Sequence, residues 1–92
     1  MGRLREANIE DIPTIVALAQ EMWKDSEYSD VDFIPNHFSV FVGITLSEPS
    51  AYATFLYENE EQEICGAMMC SVFPFTFSPI LQACDIGIFV KP

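Results

Sequence analysis

The sequence predicts one small α/β domain, α+β in arrangement, in which helices lie on both sides of a mixed, mainly antiparallel sheet. Three observations support this fold class. An apolar stripe at helical spacing runs through residues 12–23, and two strand-like segments flank a charged turn at residues 59–62. The last two predicted strands are apolar on both faces, which requires a helix layer on each side. The predicted element order is β-α-α-β-β-β.

The chain is predicted to open with an edge strand and a capped helix. Arg3 to Ala7 has the pattern of a short strand, and Asn8 or Asp11 then caps the helix. Pro13 fits the first turn of this helix, where its missing N–H costs little. The apolar stripe of the helix comprises Ile12, Ile15, Val16, Ala19, Met22 and Trp23.

A polar, acidic loop is predicted from Ser26 to Pro35, and a second helix from Asn36 to Ser47. Glu48-Pro49 ends that helix. Its predicted apolar side comprises Phe38, Phe41, Val42 and Thr45.

Three strands are predicted in the second half. Ala51 to Tyr57 and Ile64 to Phe73 form a hairpin around the turn Asn59–Gln62, and a proline-bounded loop at 74–79 leads to a final strand from Leu81 to Val90. The final strand is long and apolar for a sheet edge, so we expect something to cover it or pair with it.

The composition limits the function classes. Half of the 92 residues are hydrophobic, which excludes a disordered chain. Fourteen acidic against four basic residues give a formal net charge of −10, so nucleic-acid binding is not expected. This charge favours cationic partners, namely amine-bearing small molecules or basic peptides. The alternative interpretation is that the charge only keeps the protein soluble.

The sequence predicts a cytoplasmic protein. It contains no apolar run of the ~20 residues needed to span a bilayer, and its charged start lacks a secretory signal. Cysteines stand at positions 65, 70 and 84 without a C-x-x-C motif, which predicts reduced thiols rather than a disulfide framework or a zinc site.

Four short segments occur in a characteristic order: Arg3 to Pro13, Ser26-Glu-Tyr28 followed by Asp32-Phe33, Phe77 to Asp85, and a strand closed by Val90-Lys91-Pro92. This ordered set resembles the GNAT N-acetyltransferases of phage and bacterial type over nearly the whole chain. In that family, a similar V-x-P is followed by a Gly-rich turn that holds the pyrophosphate of acetyl-CoA. The resemblance implies a single partial domain, residues 1–92, that ends just before this turn.

The resemblance implies transfer of an acetyl group from acetyl-CoA to an amine in the complete protein. Asp85 lies within an apolar strand, where burial would raise its pKa and make it a candidate general base. Ile88, Phe89 and Val90 match the family segment whose main chain pairs with the pantetheine arm and directs an N–H at the acetyl carbonyl. The alternatives are a solvated aspartate and a plain central strand. Gly87 indicates either a close approach or a bulge.

Trp23, Ser26, Tyr28 and Phe33 match the helix exit that lines the family's acceptor pocket. Phe73, Phe75 and Phe77 alternate around Pro74 and are candidates for the other wall, although alternation across a strand end explains them equally well. Aromatic rings beside acidic side chains suit a cationic amine. In the alternative interpretation, Trp23 belongs to the core, and Tyr28 and Phe33 only pin a loop.

A second class of function fits the same sequence. A truncated, acidic half-domain could act as a non-catalytic interaction module, or form a homo-oligomer through its exposed last strand. Acetyl-CoA binding separates the two hypotheses, because only the enzyme requires it.

Overall fold

The structure is a computed structural model that describes residues 2–74 and 76–90; for residues 84–86, 88 and 89 it describes the main chain. It contains β1 (Arg3–Glu6), a 3-10 turn (Ile9–Asp11), α1 (Ile12–Lys24), α2 (Pro35–Ser47), β2 (Tyr52–Glu58), β3 (Ile64–Pro74) and β4 (Leu81–Val90). The four strands form one antiparallel sheet in the order β1-β2-β3-β4. The predicted element order and the mixed class are confirmed. Among the described residues, no helix is long and apolar enough to cross a bilayer.

The start of α1 shows which of the two predicted caps acts. The side chain of Asn8 accepts the N–H of Glu10 at 2.9 Å, so Asn8 caps the 3-10 turn that leads into α1. The carboxylate of Asp11 makes no capping bond to α1 and instead accepts the N–H of Asn8 at 2.8 Å. Pro13 occupies the first turn of α1, as predicted.

The core lies between the two helices and one face of the sheet. Leu56 pairs with Ala67, and Thr54 with Met69, so these side chains share the covered face. The predicted helix stripes are confirmed in outline, although Leu18 also joins the core and Met22 is 38% exposed. The buried cluster comprises Ile15, Leu18, Val42, Leu56, Ala67 and Met69, with Phe38 and Phe41 packed against it.

The opposite face of the sheet is apolar but open. A shallow groove of about 180 Å³ runs along it. We call this surface the open-face groove; it is lined by Leu4, Phe55, Tyr57, Gly66, Ala67, Met68 and Val90. The two-sided apolar pattern of β3 is therefore confirmed, but both described helices lie on one face. The second helix layer that the pattern predicts is not found in the described part of the chain.

Candidate functional site

The candidate cofactor strand, β4, lies at one edge of the described sheet and pairs with β3 alone. Its residues 87–90 pair in regular register with residues 66–69, whereas Asp85 pairs with Cys70. Ile86 is therefore the extra residue of a β-bulge. A bulge bends its strand and changes the direction of the neighbouring main-chain groups. This irregularity matches the bulge that Gly87 indicated as one of two alternatives.

The bulge separates the proposed base from the proposed cofactor-binding residues. Asp85 precedes it, and Ile88, Phe89 and Val90 follow it. The main chain alone is described for Asp85, Ile88 and Phe89, so their predicted roles rest on strand position. Val90 is 57% exposed and lines the open-face groove. Phe75 lies outside the described residues.

α1, rather than α2, lies beside this strand. α1 packs against β3 and β4, whereas α2 packs against β2. Trp23, in the last turn of α1, and Ser26, Tyr28 and Phe33, in the loop that leaves it, are four of the five predicted acceptor residues. The helix that begins this loop and the proposed cofactor strand are therefore neighbours in the fold.

Trp23 fastens the loop that follows α1. Its indole N–H donates to the carbonyl oxygens of Tyr28, at 3.0 Å, and Val31, at 2.7 Å. The hydroxyl of Ser26 donates to the carbonyl of Trp23 at 2.8 Å and accepts the N–H of Tyr28 at 3.2 Å. The structure thus brings Trp23, Ser26 and Tyr28 together, through bonds that involve the main chain.

Aromatic rings connect this loop to the core. The ring centroids of Trp23 and Phe33 lie 5.9 Å apart, and those of Phe33 and Phe38 lie 5.5 Å apart, both in tilted contact. Phe38 continues the series to Phe41 at 6.1 Å. Trp23, Ser26 and Phe33 therefore organise the loop, as the alternative interpretation expected for Phe33. The Tyr28 residue remains 65% exposed.

Sequence reasoning missed a charge network at the other edge of the sheet. The guanidinium of Arg5 donates to both carboxylate oxygens of Asp11 at 2.9 Å and also to the carboxylate of Glu58. The hydrogen bonds from Arg5 lower the pKa values of Asp11 and Glu58, and the two carboxylates raise the pKa of Arg5. Arg3 adds a longer ion pair with Glu58 at 3.6 Å. Two arginines on alternate positions of a predicted edge strand were the only signal, and they did not identify their partners.

The described residues contain no cluster of three or more His, Cys, Asp or Glu side chains that could hold a metal ion. Cys65 and Cys70 are free thiols.

Comparison with known proteins identifies the fold. The sequence matches no family model and no curated protein. In structure, 99% of the chain superposes on 58% of a possible acetyltransferase from Clostridium difficile, with a TM-score of 0.84 at 14% identity. The chain has the GNAT acetyltransferase fold in part. All of it also superposes on 61% of a predicted acetyltransferase with acetyl-CoA from Clostridium acetobutylicum, with a TM-score of 0.79 at 16% identity.

A third GNAT-fold structure is an aminoglycoside 6'-N-acetyltransferase from Acinetobacter baumannii. The whole chain superposes on 58% of that protein, with a TM-score of 0.73 at 15% identity. The chain thus spans between 58% and 61% of the length of these three acetyltransferases.

Proposed function

We propose that this chain is part of a cytoplasmic N-acetyltransferase that transfers the acetyl group of acetyl-CoA to an amine. One observation carries the proposal: 99% of the chain follows an acetyltransferase fold with a TM-score of 0.84. A second GNAT-fold neighbour, in a structure with acetyl-CoA, supports acetyl-CoA as the cosubstrate.

The edge of β4 fits the pantetheine arm of acetyl-CoA. Among the described residues, β4 has a strand neighbour on one side only. Outward N–H and C=O groups on the other side can bind a ligand that contains amides in the way that an edge accepts an added strand. In this proposal, the main chain at Ile88, Phe89 and Val90 binds the arm, and an outward N–H stabilises the oxyanion that forms at the acetyl carbonyl.

The proposed reaction is a direct transfer. The amine nitrogen attacks the thioester carbon, a C–N bond forms, the C–S bond breaks, and its electron pair leaves on the thiolate of CoA. Asp85, directly or through one water, takes the proton that the cationic amine loses before it attacks. The nitrogen loses its second proton to solvent as the amide forms, and the thiolate is protonated from solvent. Asp85 has this role because it is the carboxylate-bearing residue next to the bulge of β4.

The proposed acceptor is an amine-bearing small molecule or a basic peptide. The net charge of −10 attracts cations over long range. One structural neighbour is an aminoglycoside acetyltransferase, which supports an amine acceptor. In this proposal, Trp23, Ser26, Tyr28 and Phe33 form one side of the acceptor site, and Phe75 contributes to the other.

Calorimetry tests the proposal with three ligands. If the edge of β4 binds the arm, acetyl-CoA and S-acetylpantetheine should both bind the chain, and adenosine 3',5'-bisphosphate should not. Failure of the chain to bind either acetyl-CoA or S-acetylpantetheine would contradict the proposal. Binding of the bisphosphate alone would place the affinity away from β4.

Substitution at Asp85 tests the base separately. Asp85→Asn should leave acetyl-CoA binding unchanged and slow acetylation of an amine by about 100-fold, the lower range for loss of a general base. An unchanged rate would remove Asp85 from the mechanism without affecting the cosubstrate assignment.

A second candidate is a non-catalytic acidic module that forms a homo-oligomer beside its last strand. The open-face groove favours it, because Val90 of β4 lines an apolar surface that continues onto β1 and β2. Sedimentation analysis run beside the calorimetry separates the candidates: a dimer that binds neither thioester would favour the module.

A further inference from the structure

We infer that Tyr28 is the side chain that contacts the cationic amine, and that Trp23 is a positioning residue that holds Tyr28 in place without touching the amine. This inference rests on the proposed function, because it assigns separate roles to residues of the proposed acceptor site. It divides a set that sequence reasoning treated as equivalent.

The main chain of Tyr28 is fixed from both sides, while the residue is largely exposed. Its N–H donates to the hydroxyl of Ser26 at 3.2 Å. Its carbonyl accepts from the indole of Trp23 at 3.0 Å and from the N–H of Val31 at 2.9 Å. Tyr28 nevertheless remains 65% exposed. A residue with a held backbone and an exposed ring is suited to contact a ligand with little further ordering.

The other two aromatic residues of this region, Trp23 and Phe33, already make contacts within the protein. The indole N–H of Trp23 is shared between two carbonyls, and its ring contacts Phe33. Phe33 in turn lies in contact with both Trp23 and Phe38. Trp23 and Phe33 are half-buried, in contrast to Tyr28. Through these contacts, Trp23 and Phe33 stabilise the loop.

The chemistry of the surroundings favours a protonated amine. The segment from residue 25 to residue 34 contains four acidic side chains, Asp25, Glu27, Asp30 and Asp32, and no basic one. A tyrosine ring attracts an alkylammonium through its π face, and nearby carboxylates strengthen that preference over a neutral ligand. The inferred substrate class is therefore an alkylamine that binds as a cation and loses its proton before transfer.

The first experiment compares ring removal with ring retention. The probe is diaminobutane, and butanediol is the uncharged ligand of the same length. Trp23, the single tryptophan of the chain, lies five positions before Tyr28, so indole fluorescence reports binding. We expect Tyr28→Leu to weaken diaminobutane binding about threefold, as for one exposed cation–π contact, and Tyr28→Phe to leave it unchanged.

Two comparisons control this result. Tyr57→Leu makes the same change at an exposed tyrosine of the open-face groove and should not alter diaminobutane binding. Butanediol should bind the wild-type chain and Tyr28→Leu equally weakly. Equal diaminobutane affinities for the wild type and Tyr28→Leu, or no detectable diaminobutane binding, would overturn the role of Tyr28.

The second experiment tests positioning with a double-mutant cycle. Trp23→Phe keeps a ring beside Phe33 but removes the N–H that holds the carbonyls of Tyr28 and Val31. Calorimetry should show weaker diaminobutane binding in Trp23→Phe. Trp23→Phe should have no further effect when Tyr28 is already leucine, because Trp23 acts through Tyr28. Additive losses in the double variant would show that Trp23 does not act through Tyr28.

Acetyl-CoA binding, measured on the same variants, separates this inference from the proposed function. Tyr28→Leu and Trp23→Phe should both bind acetyl-CoA as the wild type does. A chain that binds diaminobutane through Tyr28 but not acetyl-CoA would contradict the acetyltransferase proposal and retain the roles inferred here. A chain that binds acetyl-CoA and shows equal amine affinity in Tyr28→Leu would do the reverse.

Discussion

Arg5 connects three segments that are separate in the sequence. Its guanidinium bonds Asp11 in the turn before α1 and Glu58 at the end of β2, while Arg5 itself lies in β1. Asp11 also accepts the N–H of Asn8, so its carboxylate holds both the guanidinium of Arg5 and the turn before α1. Charge-assisted bonds of this kind are stronger than neutral ones. Loss of Arg5 would remove the charged partner of the largely buried Asp11 carboxylate and leave it the main-chain N–H of Asn8.

We predict that Arg5→Ala lowers the free energy of unfolding by about 2 kcal/mol, the range for loss of charged hydrogen bonds at a partly buried group. Arg3→Ala is the control. Arg3 makes a 3.6 Å ion pair from a side chain that is 70% exposed, so its removal should change stability little. Urea unfolding curves measure both variants. Equal losses in the two variants would contradict the network.

The same network has a defined pH dependence. The pKa of Asp11 lies below its ordinary value of 3.8 because Arg5 hydrogen bonds to the ionised form. A folded pKa below the unfolded one means that the stabilisation is present above the unfolded pKa and is lost as pH falls through the folded pKa. The stability difference between wild type and Arg5→Ala should therefore be constant near neutral pH and shrink below pH ~4. Urea unfolding across acidic pH measures this difference, and a gap that widens on acidification would reverse the assigned sign.

Two buried threonines make a matched pair. The hydroxyl of Thr54 in β2 is buried and has no hydrogen-bond partner among the described residues, whereas that of Thr45 in α2 donates to the carbonyl of Val42 at 2.7 Å. Thr54→Val should raise the free energy of unfolding by about 1 kcal/mol, because it removes an unsatisfied polar group. Thr45→Val should give no such gain, because it removes a bond that is made. Thermal and urea unfolding of both variants decide between these outcomes.

At the scale of elements, the turn of the β2–β3 hairpin contains backbone strain that a single substitution can relieve. The turn is held by Asn59, whose side chain accepts the N–H groups of Glu61 at 2.9 Å and Glu63 at 3.0 Å. Gln62 has a φ of 64°, in the left-handed region that glycine occupies without a steric penalty. Asn59 thus holds the turn by hydrogen bonds, but Gln62 carries a side chain at a position where glycine, which has none, is preferred.

We predict that Gln62→Gly stabilises the chain by about 0.5 kcal/mol, the balance of relieved strain and added unfolded-state entropy. Glu61→Gly adds the same entropy without relief of a positive φ, so it should destabilise by a similar amount. Urea unfolding measures both variants. A loss in both would show that backbone strain at Gln62 is negligible.

The elements followed from the sequence because each is encoded locally. The spacing of Ile15, Val16 and Ala19 predicted α1, and the charged turn between two β-branched segments predicted the hairpin. Asn8 and Asp11 lie close in sequence, so a cap was expected even though its assignment was not. Local patterns supplied the order of elements and the loop that contains Tyr28.

What the sequence did not provide depends on contacts between distant segments. Arg5 and Glu58 meet because β1 pairs with β2, and no local pattern encodes that register. The apolar pattern of β3 predicted two covered faces, yet it could not say which face the helices would cover. The position of the bulge was indicated by Gly87, but the extra residue, Ile86, is defined only by pairing with β3.

At the scale of the molecule, an apolar surface and a strongly negative charge oppose each other. The open-face groove contains Leu4 and Val90, both more than half exposed, and apolar surfaces of this kind favour association. Two copies that each have a formal net charge of −10 repel one another. Salt screens the repulsion but leaves the apolar contact, so self-association through the groove should strengthen as salt increases.

A substitution at Leu4 separates apolar contact from charge. Leu4→Lys removes an apolar side chain from the groove and also makes the chain less negative, which by itself would favour association. We predict that Leu4→Lys nevertheless reduces the dimer fraction, because loss of the apolar contact outweighs one screened charge at high salt. Ile9→Lys is the control, because Ile9 is 74% exposed and does not line the groove.

Sedimentation velocity at salt concentrations of about 0.05 M and 1 M measures the dimer fraction of both variants. Ile9→Lys introduces the same charge outside the groove, so its dimer fraction should equal or exceed that of the wild type at low salt. A decrease confined to Leu4→Lys can arise only from the groove, because the electrostatic effect of the substitution has the opposite sign. Equal behaviour of the two variants, or association that weakens with salt, would place any contact between copies on another surface of the molecule.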